Sequence, residues 1–176
     1  LANRIQVFNV FRYLTFRTGG AVMTALLISF VLGPALIRWL KDTQGKGQPI
    51  RSDGPQRHIV EKQGTPTMGG LLILMSLVFS TLLWAELSNM YVWCVLFVTL
   101  AFGLLGFLDD FRKVRRYSSA GVSARFKLLV QFAIAAAAVV MLMRLQMPPL
   151  TGALAFPFFK GLLWQMGWGF VLFGAL

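Results

Sequence analysis

Asp109 and Asp110 stand side by side directly after the apolar run LAFGLLGFL (residues 100–108). A carboxylate at the edge of a bilayer is costly unless it meets water, a cation or a positively charged side chain. Two in succession repel each other, which invites a divalent cation or an acid/base role for one of them. Successive helix positions lie about 100° apart, so the pair points in two directions, and separate roles fit better than one chelating clamp. The alternative is a solvated helix end at which both acids neutralise Arg112, Arg115 and Arg116.

A second polar constellation is RSDGPQRHIVEKQGTPTMGG, residues 51–70. Asp53-Gly54-Pro55 is a turn former. Thr65 and Thr67 supply hydroxyls, Lys62 supplies a cation, and Gly69-Gly70 lets backbones approach closely. Hydroxyls, a lysine and bare amides before a helix suit a phosphate. The competing reading is a loop that caps a helix, with Thr67 as the N-cap. Lys113, Arg115, Arg116, Arg125 and Lys127 suit anionic substrates or anionic lipid headgroups, the lipid reading being the default for any one of them. His58, the one histidine, reads as a solvated loop residue, and Cys94 as a small apolar residue within a span.

The elements that must position these groups are membrane spans. The chain has 176 residues, of which 57% are hydrophobic and only 13% charged, and 17 Lys+Arg against 6 Asp+Glu give a net charge of +11. The mean hydropathy is +0.69. A soluble domain carries about 25% charged residues, and a soluble nucleic-acid binder spreads its basic residues over a polar surface. Here they cluster between long apolar runs. One cysteine excludes a disulfide framework. The expected class is therefore an all-α polytopic integral membrane protein, one transmembrane domain over 1–176.

A span needs about 20 apolar residues. Four are expected, at about 21–40, 69–87, 91–108 and 128–145, with the start of a fifth at 161–176. Gly33-Pro34 is expected to kink the first. Trp84 reads as an interfacial anchor, and the small residues of 133–138 as a close-packing face. Val7, Val10, Phe11 and Leu14 recur at the spacing of a short interfacial helix. Six Lys/Arg fall in the segment Arg38 to Lys62 and six in Arg112 to Lys127, so the loops at about 41–68 and 109–127 are expected to be cytoplasmic. The first residue is Leu, the first methionine is Met23, and Leu176 lies in an apolar run, so both ends read as trimmed; the first 17 residues lack the charged, apolar and cleavage regions of a signal peptide.

Taken together, VFNVFRYLTFR (7–17), the 51–70 loop and GFLDDFRKV (106–114) closely resemble the phospho-N-acetylmuramoyl-pentapeptide-transferase (MraY) family. That family sits within the polyprenyl-phosphate N-acetylhexosamine-1-phosphate transferase superfamily. The DGP…H…K…GTPTMGG string is distinctive of the family, whereas the Asp-Asp motif is shared more widely. The resemblance runs along the whole chain but covers only the amino-terminal half of the family's length. It implies a multi-pass enzyme of the bacterial inner membrane with ten transmembrane helices, homodimeric when full length, working from the cytoplasmic face. The implied reaction transfers phospho-MurNAc-pentapeptide from UDP-MurNAc-pentapeptide to undecaprenyl phosphate, giving lipid I and UMP with Mg²⁺.

By motif position, Asp109 and Asp110 match the family's paired catalytic aspartates and are candidate Mg²⁺ ligands. Lys62, Thr65, Thr67, Lys113 and Lys127 match substrate-binding positions. The family's later motifs, including its main metal-binding aspartate and its histidine-rich loop, fall beyond Leu176, so the isolated chain is expected to be inactive. Two other readings stand beside this one: a related transferase with a UDP-GlcNAc-type donor, against which GTPTMGG argues, and a non-catalytic scaffold or partner-binding fragment whose basic loops hold membrane lipids. A scaffold would tolerate Asp109→Asn, whereas the enzyme would lose turnover. No nucleic-acid partner is expected.

Overall fold

The computed structural model describes residues 6–45, 67–116, 121–148, 150–156 and 162–176. Lys62, Thr65, the Asp53-Gly54-Pro55 turn and His58 lie outside the described residues. A 3₁₀ helix, Gln6–Arg12, leads into α1 (Leu14–Gln44), followed by α2 (Gly70–Trp84), α3 (Met90–Arg116) and α4 (Ala124–Leu145). Two three-residue strands, β1 (Ala153–Ala155) and β2 (Leu163–Gln165), precede a short α5 (Gly169–Ala175). The chain divides into two compact units, 1–87 with 106–121 and 88–105 with 122–176, so α3 contributes to both.

Among the described residues α1, α3 and α4 are long and apolar enough to cross a membrane. Their outward faces are those of a lipid-solvated protein: Phe30 is 77% exposed and Leu129 69%. In water such surfaces would drive aggregation, whereas hydrocarbon solvates them. The expected second span is realised as the 15 residues of α2, about 22 Å of helix against the ~30 Å of a hydrocarbon core. It stops where Ala85 turns extended, at ψ 160°.

The expected fifth span differs more. Its described part, residues 162–176, opens as strand β2 and becomes helical only for the seven residues of α5. β2 instead satisfies its backbone by pairing antiparallel with β1, Leu154 opposite Trp164. The hairpin is the one departure from an all-α reading among the described residues. The expected amino-terminal helix is 3₁₀ rather than α, and extended Tyr13 separates it from α1.

In the first unit α1 lies against α2. Gly33 is buried, and a Cβ placed on it would meet Leu72 Cδ2 at 3.4 Å. Pro34 follows it, and α1 runs through that step as one helix. Nearer the start of α1 the contact is tighter, because a Cβ on Gly20 would stand 2.6 Å from the Trp84 ring. Only glycine leaves room for the indole there. Trp84 Nε1 donates to Thr24 Oγ1 at 2.9 Å, and Arg17 Nε donates to the Trp84 carbonyl at 2.6 Å. Phe11 stacks on the same ring with centroids 6.0 Å apart. Trp84 thus anchors α2 to α1 through its own hydrogen bonds. The two buried serines of α2, Ser76 and Ser80, return their hydroxyls to the Ile73 and Leu77 carbonyls, each at 3.0 Å, so neither is left unsatisfied.

In the second unit Cys94, Leu96, Leu105, Ala138 and Val139 form the buried apolar set. α5 crosses α4 where Val139 is buried, and a Cβ on Gly174 would be 2.8 Å from Val139 Cγ2. The small-residue face of 133–138 ends at this crossing, with Ala138 buried beside it.

Candidate functional site

α3 continues two turns past residue 108, where the apolar run ends. Asp109 lies eighteen residues along from Tyr91, about 27 Å of helix axis, close to the ~30 Å depth of bilayer hydrocarbon. The basic last turn, Lys113, Arg115 and Arg116, then suits the negative end of the helix dipole and lies beyond the apolar segment.

Lys113 is the residue that ties the acidic pair together. Its Nζ stands 2.7 Å from Asp109 Oδ2 and 3.3 Å from Asp110 Oδ1, contacts that the i,i+4 and i,i+3 spacings place on one side of the helix. The side chain of Asp109 is 8% exposed, that of Lys113 24% and that of Asp110 32%. The hydrogen bond to Asp109 raises the Lys113 pKa above its ordinary value; burial opposes this, and Asp110 adds to the rise. The ammonium is therefore held charged between two carboxylates, one buried and one open. The adjacent acids, expected to point in two directions, both reach this one lysine, which is their shared cation, and they differ in burial.

The second partner of Asp110 comes from the loop before α2. Thr67 Oγ1 donates to Asp110 Oδ2 at 3.0 Å. This corrects the capping reading of Thr67: the N-cap of α2 is Gly69, with no side-chain cap, while Leu71 and Leu72 return their N–H groups to Met68 and Gly69 carbonyls. The hydroxyl is spent on the carboxylate instead. Among the described residues, nothing lies within 4 Å of a Cβ added to Gly69 or Gly70. Met68 between them and Thr67 takes a φ of 74°, the single positive value at a non-glycine among the described residues.

Thr67 is itself held at both backbone ends by Gln44, the last residue of α1. Gln44 Oε1 accepts from Thr67 N–H at 2.9 Å and Gln44 Nε2 donates to Thr67 C=O at 3.1 Å. Gln44 is 4% exposed. Sequence reasoning passes over it, since an amide among charged neighbours carries no motif. It passes over Gly121 too. A Cβ there would run into the Asp109 carboxylate, 2.7 Å from its Cγ and 3.0 Å from Lys113 Cε. Gly121→Ala is accordingly expected to destabilise the protein by about 1–3 kcal/mol through overpacking. The thermal unfolding midpoint in detergent reads this, and an unchanged midpoint would show that the loop yields.

Lys127 sits in the first turn of α4, in the second unit, and its N–H bonds the Ser123 carbonyl at 3.0 Å. Of the residues singled out by sequence, the structure thus brings together Asp109, Asp110, Lys113 and Thr67. Two carboxylates and a hydroxyl are hard oxygen donors of the kind a divalent cation takes. Among the described residues no three His, Cys, Asp or Glu converge. Mg²⁺ is commonly bound through one or two carboxylates, with water and phosphate oxygens completing its shell.

An acid–lysine–acid cluster, with Thr67 bonded to one of its acids, thus stands at the end of a long apolar helix in a chain whose apolar helices are those of a multi-pass membrane protein. Residues 62–74, which run from Lys62 through Thr67 into α2, match the family model described as phospho-N-acetylmuramoyl-pentapeptide-transferase signature 1. The chain is 52% identical over 181 aligned residues to the phospho-N-acetylmuramoyl-pentapeptide-transferase of Maricaulis maris (strain MCS10). It is 53% identical over 176 residues to that of Granulibacter bethesdensis (strain ATCC BAA-1260 / CGDNIH1). Along its whole length the chain is thus similar to phospho-N-acetylmuramoyl-pentapeptide-transferases, the family its motifs resemble. Each alignment takes in 100% of the chain and 49% of the relative, so the chain spans about half the length of the curated relatives it matches.

Proposed function

We propose that these residues form part of a transferase that moves phospho-MurNAc-pentapeptide from UDP-MurNAc-pentapeptide to undecaprenyl phosphate in the bacterial inner membrane, with the two basic loops cytoplasmic. The observation that carries this reading is the Thr67–Asp110–Lys113–Asp109 cluster at the boundary end of α3, beside the family signature. In the reaction an oxygen of the lipid phosphate attacks the phosphorus that bears the sugar. The phosphoanhydride bond between the two phosphates breaks and UMP departs, leaving a lipid-linked diphosphate sugar.

Both reactants are anionic, so cationic side chains must offset their repulsion. In this reading Lys113 does so, with Lys62 and Lys127 as further substrate-binding cations and Thr65 and Thr67 as loop contacts. The open carboxylate, Asp110, takes the proton of the attacking phosphate or orients it, while buried Asp109 fixes Lys113. Asp110 and Asp109 are the residues that would hold a Mg²⁺ ion, which would supply charge neutralisation at the diphosphate. Displacement is direct in this scheme; a trapped phospho-sugar adduct on an aspartate would replace it with a covalent route. The full-length enzyme is taken to have ten transmembrane helices, four and the start of a fifth falling in this chain, and to work as a homodimer.

The test is release of UMP by the purified full-length enzyme with undecaprenyl phosphate, comparing UDP-MurNAc-pentapeptide with UDP-GlcNAc. Turnover of the first alone is expected, and none from the 176 residues by themselves. Turnover of UDP-GlcNAc with refusal of the MurNAc donor would overturn the assignment.

A further inference from the structure

Gln44 is the described polar residue with the least exposure next to Ser76, and among the described residues its amide makes two hydrogen bonds, both to Thr67. A side-chain amide that accepts from an N–H and donates to a C=O of one residue fixes the position and the rotation of that peptide segment together. Either bond alone would leave the segment free to pivot. What the clamp fixes is the starting point of the Thr67 hydroxyl, which reaches Asp110 Oδ2 at 3.0 Å. It also abuts the left-handed Met68, at φ 74°. Such a conformation persists at a methionine only where neighbouring contacts over-determine the backbone.

We propose that Gln44 is a positioning residue of the transfer reaction: by gripping both backbone ends of Thr67 it aims the Thr67 hydroxyl at Asp110 and holds that carboxylate in its working orientation. Gln44 touches no reacting atom. It links the end of α1 to the loop before α2, and through Thr67 to the cytoplasm-directed end of α3. The inference rests on the proposed transferase reading of the same cluster.

The experiment is a double-mutant cycle in the full-length enzyme, using Gln44→Leu, Thr67→Val and the pair, with UMP release as readout. Gln44→Leu keeps the shape of the side chain and loses both hydrogen bonds. Its kcat is expected to fall about 10- to 100-fold with the KM for the nucleotide donor within about threefold, because misplacement of a catalytic group acts on turnover. If Gln44 acts through Thr67, the double variant is no slower than the slower single one, within about threefold. Multiplying effects would overturn the proposal, as would a loss confined to KM. Should Gln44→Leu fail to fold, Gln44→Glu, which keeps the acceptor for Thr67 N–H, takes its place in the same cycle: non-multiplying losses in kcat support the clamp, and multiplying losses or a pure KM effect overturn it. Failure of the parent reading looks different: the unsubstituted enzyme then gives no UMP from the MurNAc donor, or Asp110→Asn leaves turnover intact.

Discussion

On the proposed reading, Asp110→Asn in the full-length protein is expected to lower kcat by about 10²- to 10⁴-fold, the range associated with loss of a positioned acid/base group. Asparagine keeps the outline of the side chain and removes its charge. Lys113 retains Asp109 at 2.7 Å, so the buried part of the cluster stays paired. Asp110 is also the more open of the two acids, with a side chain 32% exposed, and the fold therefore loses little. Steady-state UMP release gives kcat, and calorimetric titration of the nucleotide donor gives binding; the donor should still bind within about tenfold. Turnover within about threefold of the unsubstituted enzyme would remove Asp110 from the chemistry and leave the cluster as a helix end neutralised by its lysine.

Lys113→Met has the second large effect, for a different physical reason. It leaves Asp109, with its side chain 8% exposed, facing Asp110 without the cation that both share. An unsatisfied buried group of this kind destabilises by about 1–3 kcal/mol. On the proposed reading turnover is expected to drop about 10²- to 10³-fold, since the cation assigned to offset charge at the reacting phosphates is lost. The two losses separate in Lys113→Met/Asp109→Asn. Removing the stranded charge should recover most of the unfolding midpoint and none of the activity. A double variant that recovers turnover would show that Lys113 serves folding alone. Lys113→Arg is no conservative control, because a planar guanidinium cannot sit as a point charge between two carboxylates.

Much of this cluster is legible in the amino-acid order alone. Asp109 and Asp110 declare themselves because charge directly after an apolar run has few structural excuses, and the helical angle between neighbours already separates their directions. Lys113 reads only as one cation among several near the pair; its bridging of both acids follows from the same helical geometry at i+3 and i+4. Thr67 is harder. Threonine before a helix is ordinarily a cap, and that reading fails because the chain turns through left-handed Met68 and hands the cap to Gly69. Gln44 and Gly121 leave no mark in the sequence, since a backbone clamp and a close approach depend on contacts between residues 23 positions and 12 positions apart. The long helices α1, α3 and α4 are plain from hydropathy. The hairpin is not, because strands of three residues within an apolar stretch carry no period to read.

α3 carries the acids on the same unbroken rod that begins at Met90. Its lipid-facing letters are therefore interchangeable among apolar types, but their number is not. One residue inserted or deleted between Tyr91 and Leu108 turns the acids through about 100° and moves them about 1.5 Å relative to the start of the rod. Tolerance to spelling combined with intolerance to length is the pattern that this stretch should show wherever homologous genes drift apart.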